Sequence, residues 1–113
     1  MQGFDVAAAG ARLRNAGGRY EMVHESPGLE LGVYVLVAPT PDGQTPHAHD
    51  EVYVVLDGET DIAVDGEVRH LAQGDAVFVA ARAEHRFSGY DVVSLLVIFN
   101  GPHSASKRDG QTS

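Results

Sequence analysis

The stretch VYVVLDGETDIAVDGEVRHL, residues 52–71, predicts the fold of this chain. Its apolar and β-branched residues fall into three short runs, at positions 52–56, 60–64 and 67–71. The pairs Asp57-Gly58 and Asp65-Gly66 separate these runs, and an Asp-Gly pair between apolar runs favours a tight turn between strands. The stretch therefore predicts three consecutive β-strands joined by tight turns.

Similar short runs lie on both sides of this stretch, and turn residues such as Gly, Pro and Asp separate them. They predict further strands at residues 19–24, 30–38, 76–80, 85–87 and 92–99. Short strands at such regular spacing are typical of an all-β sandwich or barrel. We therefore expect one β domain at residues 19–99.

The two ends of the chain differ from this middle part. Asp5 is a suitable N-cap for a short helix that ends before Gly17, so residues 1–18 are predicted to form an N-terminal helical segment. Residues 100–113 are mostly polar, with Ser, Gly, Lys and Thr, and have almost nothing to bury. We expect a flexible C-terminal tail there.

The composition argues against several classes of protein. The 113 residues include no cysteine, which excludes disulfides, thiolate metal sites and a cysteine nucleophile. The formal net charge of −8 argues against nucleic acid or an anionic membrane as partners, because no basic stripe is present. No segment resembles a signal peptide or a transmembrane helix, so we expect a cytoplasmic protein.

Two of the predicted strands, 52–56 and 92–99, are apolar on both faces. One face can line the interior of the domain. The other face needs cover from another sheet, from the N-terminal helix or from a second subunit. We therefore expect a homodimer, and we expect Phe78 and Phe87 to lie in the core.

Four residues of metal-ligand type stand near the quoted stretch. His47, His49 and Glu51 occupy alternate positions, and His85 follows 34 residues after Glu51. Alternate residues of an extended chain leave from one face, so these side chains predict a mixed nitrogen and oxygen site for one divalent metal. Imidazole suits Zn, Cu, Fe and Ni, and the carboxylate adds tolerance for Mn.

The spacing also limits how these ligands can meet. In a straight strand the Cα atoms of His47 and Glu51 would lie about 13 Å apart. Metal ligands must instead converge to bonds of about 2.0–2.2 Å. Either the chain bends at residues 48–50 or one of the three side chains is not a ligand. His49 is the first candidate to drop out, with Thr45 or water in its place.

On these residues the sequence resembles a small single-domain cupin of the cupin-2 type. The first motif of that family is matched by two glycines, two histidines and a glutamate, which are Gly43, His47, His49, Glu51 and Gly58. The second motif is matched by Gly74 and His85, although Ala80 and Arg82 replace its proline and glycine. The resemblance implies an all-β antiparallel jelly roll, the double-stranded β-helix or cupin β-barrel, with one divalent transition metal.

The resemblance does not decide the reaction, because cupins include dioxygenases, isomerases, lyases, storage proteins and sensor domains. The ligand set favours a metal-dependent enzyme, of oxygenase or isomerase/lyase type, that acts on a small polar organic molecule. The alternative is a non-catalytic binding or sensor module in which metal is structural or absent. The candidates for catalysis are Tyr53, which has the same strand parity as Glu51, and Arg86, which can bind a substrate carboxylate.

Overall fold

The structure is a computed structural model that describes residues 1–101. In this part of the chain one helix precedes eight strands: α1 (Val6–Asn15), β1 (Arg19–Ser26), β2 (Leu29–Val37), β3 (Glu51–Asp57), β4 (Glu59–Val64), β5 (Glu67–Ala72), β6 (Ala76–Val79), β7 (His85–Ser88) and β8 (Val92–Phe99). The predicted strands are therefore confirmed, and no boundary moves by more than two residues.

The strands form two antiparallel sheets. One has the order β1–β2–β8–β3–β6 and the other has the order β5–β4–β7. The interior residues of the two sheets form one shared core, so the architecture is a jelly roll, as the sequence predicts. The hydrogen bonds of the two sheets do not close into one continuous barrel.

The two Asp-Gly pairs play different roles. Asp65 and Gly66 both have positive φ angles, 48° and 87°, and join β4 to β5 in a tight hairpin. At Asp57-Gly58 the chain instead crosses between sheets, because β3 pairs with β6 and β8 rather than with β4. Gly58 is required at this corner, since a Cβ there would lie 2.3 Å from the carbonyl oxygen of Val92.

The core lies between the sheets, and α1 covers part of one outer face. Tyr53, Ile62 and Phe87 belong to the interior cluster, which confirms the prediction for Phe87. On the other side of the larger sheet, Leu13 of α1 packs against β2 at Val33. Asp5 caps this helix as predicted, because its carboxylate accepts a hydrogen bond of 2.9 Å from the N–H of Ala8.

The prediction that Phe78 lies in the core is wrong. Phe78 is 60% exposed, because Val77 and Val79 take the inward positions of the short edge strand β6. The first residues after β8 are ordered against the protein, since Gly101 is buried and the N–H of Asn100 donates to the carbonyl of Asp50 at 3.2 Å. The rest of the predicted tail, residues 102–113, lies outside the described residues.

The described part of the chain contains no helix that could span a membrane. Its one helix, α1, has ten residues, about half the number that a bilayer requires.

Candidate metal centre

His47, Glu51 and His85 converge where the two sheets face each other. Each offers one ligand atom, and these atoms all lie within 4.8 Å of one another. The Nδ1 atom of His47 is 2.8 Å from Oε1 of Glu51, and the Nε2 atom of His85 is 3.2 Å from the same oxygen. All three side chains are buried. The structure therefore brings together three of the four predicted ligands in a group that can hold a metal ion.

A bend before β3 and a turn before β7 bring the two ligand-bearing segments together. The chain bends at residues 48–49, and a bend at residues 48–50 was one of the two alternatives that the ligand spacing left open. The N–H of Arg82 donates to the carbonyl of His47 at 2.6 Å, and the N–H of Ala81 donates to Oδ1 of Asp50 at 2.8 Å. These two hydrogen bonds hold the loop that carries His47 against the turn that leads to His85.

The turn before β7 places a residue other than glycine in a conformation that favours glycine. Arg82 stands at the glycine position of the family motif and has a φ angle of 68°, in the left-handed region that favours glycine. A residue with a side chain adopts this conformation at a cost of about 1 kcal/mol or more. The hydrogen bond from Arg82 to the loop of His47 helps to offset that cost.

The hydrogen-bond pattern of this group fits a bound cation. The Nδ1 atom of His85 lies 3.0 Å from the carbonyl of Ala83, so it carries the proton and donates, which leaves a lone pair on Nε2. That lone pair faces the Glu51 carboxylate at 3.2 Å and the Tyr53 hydroxyl at 3.0 Å. The first of these contacts joins two acceptors, and a bound cation would relieve their repulsion. In addition, Oε2 of Glu51 is buried without a hydrogen-bond partner in residues 1–101.

In residues 1–101 the Glu51 carboxylate forms no ion pair with a lysine or an arginine. Its ion pairs there are with the imidazoles of His47 and His85, which carry charge only when protonated. A buried carboxylate without a permanent cation is costly. A divalent metal would supply the missing positive charge, and two imidazoles with one carboxylate suit Fe, Mn, Zn, Ni or Cu.

Tyr53 lies directly beside the metal-ligand group. Its hydroxyl is 3.0 Å from Nε2 of His85 and 3.1 Å from Oε1 of Gln44. Burial raises the pKa of Tyr53 well above its usual range, and the nearby carboxylate of Glu51 raises it further. The phenol therefore keeps its proton, and Tyr53 is a buried hydrogen-bond donor at this wall.

Asp42 anchors this arrangement, although the sequence identified it only as part of a loop. It is 1% exposed. Its carboxylate accepts hydrogen bonds from the Gln44 side chain at 3.0 Å, the Tyr34 hydroxyl at 2.8 Å and the Phe87 N–H at 2.9 Å. Asp42 thus fixes the amide of Gln44, which in turn contacts Tyr53. A turn such as Thr40-Pro41-Asp42-Gly43 carries no signal that distinguishes a buried carboxylate from an exposed one.

The other two predicted candidates for the metal lie differently. His49 does not belong to the converging group. Its ring lies against the chain after β8, since a Cβ at Gly101 would meet its Cδ2 atom at 3.1 Å. Its Nδ1 atom is buried and has no hydrogen-bond partner in residues 1–101. Thr45 is exposed in the loop. Whether His49 or Thr45 completes the coordination therefore stays a prediction.

A cavity of about 400 Å³ adjoins the metal-ligand group. His47 and Tyr53 form part of its wall, so a ligand in the cavity would lie beside one of the metal-binding candidates and beside the Tyr53 side chain. The rest of the wall is mostly apolar and aromatic, with contributions from Tyr20, Tyr34 and Phe99. The volume is suitable for one small organic ligand.

Arg86, the second catalytic candidate, is exposed on β7 and lines a different cavity of about 350 Å³. Its guanidinium donates to the backbone carbonyl of Asp42. His85 lines the same cavity, together with the acidic residues Asp65 and Glu84. The structure thus brings Arg86 to the polar side of the metal-ligand group, away from the apolar cavity that Tyr53 lines.

Comparison with known proteins identifies the family. Residues 33–99 match the model of the family described as the cupin domain. An uncharacterized protein of Streptomyces coelicolor is 37% identical over 94 residues, which cover 82% of this chain and 89% of that protein. The RmlC-like cupin of Shewanella frigidimarina superposes with a TM-score of 0.71 at 22% identity, covering 79% of this chain and 80% of that one.

A third relative has a named activity. The DMSP lyase DddQ of Ruegeria pomeroyi superposes with a TM-score of 0.68 at 26% identity. The match covers 74% of this chain but only 47% of the lyase, so the chain spans about half the length of that enzyme. The family match and the Streptomyces relative together show that this chain belongs to the cupin domain family.

Proposed function

We propose that this cupin is a metal-dependent enzyme of the isomerase or lyase type that acts on a small organic acid or carbonyl compound. The observation that carries the proposal is the convergence of His47, Glu51 and His85 beside the protonated hydroxyl of Tyr53. When bound, a divalent ion would act as a Lewis acid that polarises a carbonyl or carboxylate group.

The protein's own groups supply the remaining parts of such a site. The apolar wall of the 400 Å³ cavity binds the carbon skeleton and excludes water. Tyr53 holds its proton at the hydroxyl oxygen, at the place where the cavity meets the metal-ligand group. A hydrogen-bond donor at that position can stabilise negative charge that develops on a substrate oxygen. Such stabilisation suits an isomerase or a lyase, and the similarity to a DMSP lyase supports a reaction of this type.

The cavity also indicates what the substrate looks like. Because most of the wall is apolar, the preferred molecule carries one polar group at the end near His47 and Tyr53 and an apolar remainder. This description covers a narrower range of substrates than the small polar organic molecule that the sequence predicts. A cytoplasmic location, with which the cysteine-free sequence is compatible, also remains a proposal, and cell fractionation would test it.

The test begins with full-length protein purified without chelator and with its metal content measured. The protein is then incubated with a panel of hydroxy, keto and unsaturated acids, with and without chelator, and products are identified by mass spectrometry. We expect turnover that chelator abolishes. We expect Tyr53→Phe to retain the metal and to lose about 10²–10³-fold in kcat, whereas Glu51→Gln loses both metal and activity.

Two other outcomes would replace this proposal. Consumption of dioxygen during turnover would assign the chain to the oxygenase type. Protein that retains its metal and binds panel members without converting them would assign it to the non-catalytic binding modules. The second alternative draws support from Asp42 and Gln44, because their polar groups bind each other and Tyr53 rather than pointing as free groups into the cavity.

A further inference from the structure

Aromatic side chains surround one position on the interior face of the larger sheet. Val97 of β8 marks this position, and in the cross-strand register it lies between Gly32 of β2 and Tyr53 of β3. Phe99 follows two residues later on β8 and therefore leaves from the same face. Val97, Tyr53 and Phe99 all line the 400 Å³ cavity. They provide the floor and two walls of this space.

Tyr20 and Tyr34 provide two further walls. They lie directly opposite each other on β1 and β2, and both line the cavity. Gly32 leaves room for the Tyr20 ring, because a Cβ at Gly32 would collide with its Cζ and hydroxyl oxygen atoms. The rings of Tyr20 and Phe99 have centroids 6.5 Å apart. We call Tyr20, Tyr34, Tyr53 and Phe99 the aromatic cage.

Two hydroxyls of the aromatic cage are hydrogen-bonded behind its walls. Tyr20 donates to Glu30 at 2.6 Å, and Tyr34 donates to Asp42 at 2.8 Å. Neither carboxylate is among the residues that line the cavity. The hydroxyl protons are therefore used outside the cavity, and the two tyrosines present mainly their rings to it.

The charges buried around the aromatic cage are negative. Glu30, Asp42 and Glu51 are buried, whereas every arginine of residues 1–101 is exposed and this range contains no lysine. Arg19 also lines the cavity, but water screens its exposed charge. Burial, the hydrogen bond to Glu30 and the charge of Glu51 raise the pKa of Tyr20, so the field of these carboxylates reaches the cage. A cation in the cage would meet aromatic rings with negative charge behind them.

We propose that the aromatic cage binds a quaternary ammonium group of the substrate. Aromatic rings attract a cation through their quadrupoles, and several rings around a small space recognise quaternary ammonium ligands. A primary ammonium suits these walls less well, because it would lose its water without gaining enough hydrogen-bond acceptors. The mostly apolar wall can instead contact methyl groups.

This inference deepens the proposed function and rests on it for the reaction. The acid or carbonyl group of the substrate stays at the end near His47 and Tyr53, and the remainder that fills the cavity is a methylated cation rather than plain hydrocarbon. The substrate class is then an acid or carbonyl compound that carries a quaternary ammonium group. Binding in the aromatic cage needs neither metal nor turnover, so metal-free protein can test it.

The first test is isothermal titration calorimetry of the full chain in chelator with three related alcohols. Choline carries a quaternary ammonium, 3,3-dimethylbutan-1-ol is its uncharged carbon isostere, and ethanolamine carries a primary ammonium. We expect choline to bind at least about 10-fold more tightly than either of the others. Choline that binds no more tightly than its isostere or ethanolamine would overturn the proposal. So would the absence of choline binding up to about 10 mM, which is weak even for a ligand of this size.

Three variants locate the binding, and circular dichroism checks that each is folded. Tyr20→Leu removes a ring but keeps an apolar side chain, so it should weaken choline binding about 5–30-fold and leave the uncharged isostere unaffected. Glu30→Gln removes a carboxylate behind that ring, so it should reduce the preference for choline over the isostere. Phe78→Leu is the matched control, because Phe78 is 60% exposed outside the cavity, and it should bind choline like wild type. If Tyr20→Leu weakens both ligands equally, the cavity recognises apolar surface only and the proposal is wrong.

NMR of wild-type protein provides a second test that needs no variant. The N-methyl protons of bound choline should shift upfield against the ring faces and should give nuclear Overhauser effects to ring protons of Tyr20 and Phe99. Overhauser effects only to rings outside the aromatic cage would contradict the assignment.

These tests separate the aromatic cage from the reaction. Failure of choline to bind, together with chelator-sensitive turnover of other acids, would overturn the cage and leave the proposed function standing. Selective choline binding by a protein that converts no substrate would support the cage and assign it to a binding module.

Discussion

The substitution Glu51→Gln should change stability in opposite directions with and without metal. In the metal-free protein the Glu51 carboxylate is buried, faces the lone pair of His85 at 3.2 Å and has one oxygen without a partner in residues 1–101. A glutamine amide carries no charge, so the substitution removes the cost of a buried carboxylate that has no permanent cationic partner. We take the gain to be of the order of the cost of one unsatisfied buried polar group, about 1–3 kcal/mol. We therefore expect the metal-free variant to be more stable than wild type by about that amount.

Bound metal should make wild type more stable than Glu51→Gln. A ligand at a free concentration of 100 times its dissociation constant stabilises the folded state by about 2.7 kcal/mol. Wild type should gain this amount, whereas Glu51→Gln loses its anionic ligand and should gain little. For a domain of this size each 1 kcal/mol corresponds to about 4–8 °C in Tm. Glu51→Gln should therefore have the higher Tm in chelator, and wild type should have the higher Tm when metal is added.

The assay is thermal unfolding at about pH 8, above the ordinary imidazole pKa of about 6.5. It is run first in chelator and then with Zn²⁺, Mn²⁺, Ni²⁺ or, without oxygen, Fe²⁺. Glu30→Gln is the matched control. Glu30 is also fully buried on a strand of the larger sheet, but its carboxylate accepts a hydrogen bond of 2.6 Å from Tyr20 and is not in the metal-ligand group. This control should show the same metal-dependent gain as wild type.

The reasoning is refuted if Glu51→Gln is less stable than wild type in chelator and gains as much from metal as wild type does. That result would make Glu51 a structural residue whose charge is already satisfied in the folded protein.

Three further predictions concern other parts of the fold. Asp42→Asn should lower the free energy of unfolding in urea by about 2–3 kcal/mol, because an amide N–H would then face the donor Phe87 N–H; an unchanged midpoint would contradict its anchoring role. Arg82→Gly should stabilise the protein by up to about 1 kcal/mol, because the φ angle of 68° favours glycine; a clear loss would show that the arginine side chain matters more. The pKa of His70 is raised, mainly by its hydrogen bond to Asp61, so this pair stabilises the fold below the pKa that His70 has in the unfolded chain, and the stabilisation is lost as the pH rises through the His70 pKa of the folded protein. NMR titration should show a lower His70 pKa in Asp61→Asn than in wild type, and an equal pKa would refute the pairing.

Most of the fold was predictable because its signals are local. Turn residues separate the strands, and the side chain of Asp5 caps the helix within its own first turn. The role of Asp57-Gly58 was not predictable in this way. An Asp-Gly pair permits a hairpin, but the pairing of β3 with β6 and β8 depends on strands more than twenty residues away in the sequence.

The metal-ligand group was partly predictable for a similar reason. His47, Glu51 and His85 follow a recognisable spacing, and the geometric argument included, as one of two alternatives, the bend that the structure shows before β3. Asp42 and Glu30 were missed, because each buried carboxylate is hydrogen-bonded by a tyrosine from another element, Tyr34 and Tyr20 respectively. Strand alternation alone did not indicate that β6 is an edge strand of its sheet, so the prediction that Phe78 lies in the core was wrong.

The most direct test of the central claim is an anomalous-difference map from crystals of the full chain grown with a divalent transition metal. We predict one peak with bonds of about 2.0–2.2 Å to a nitrogen of His47, an oxygen of Glu51 and a nitrogen of His85. The same map would show whether His49 or Thr45 also binds. A map without a peak among these three side chains, from protein that binds the metal in solution, would contradict the assignment of this site.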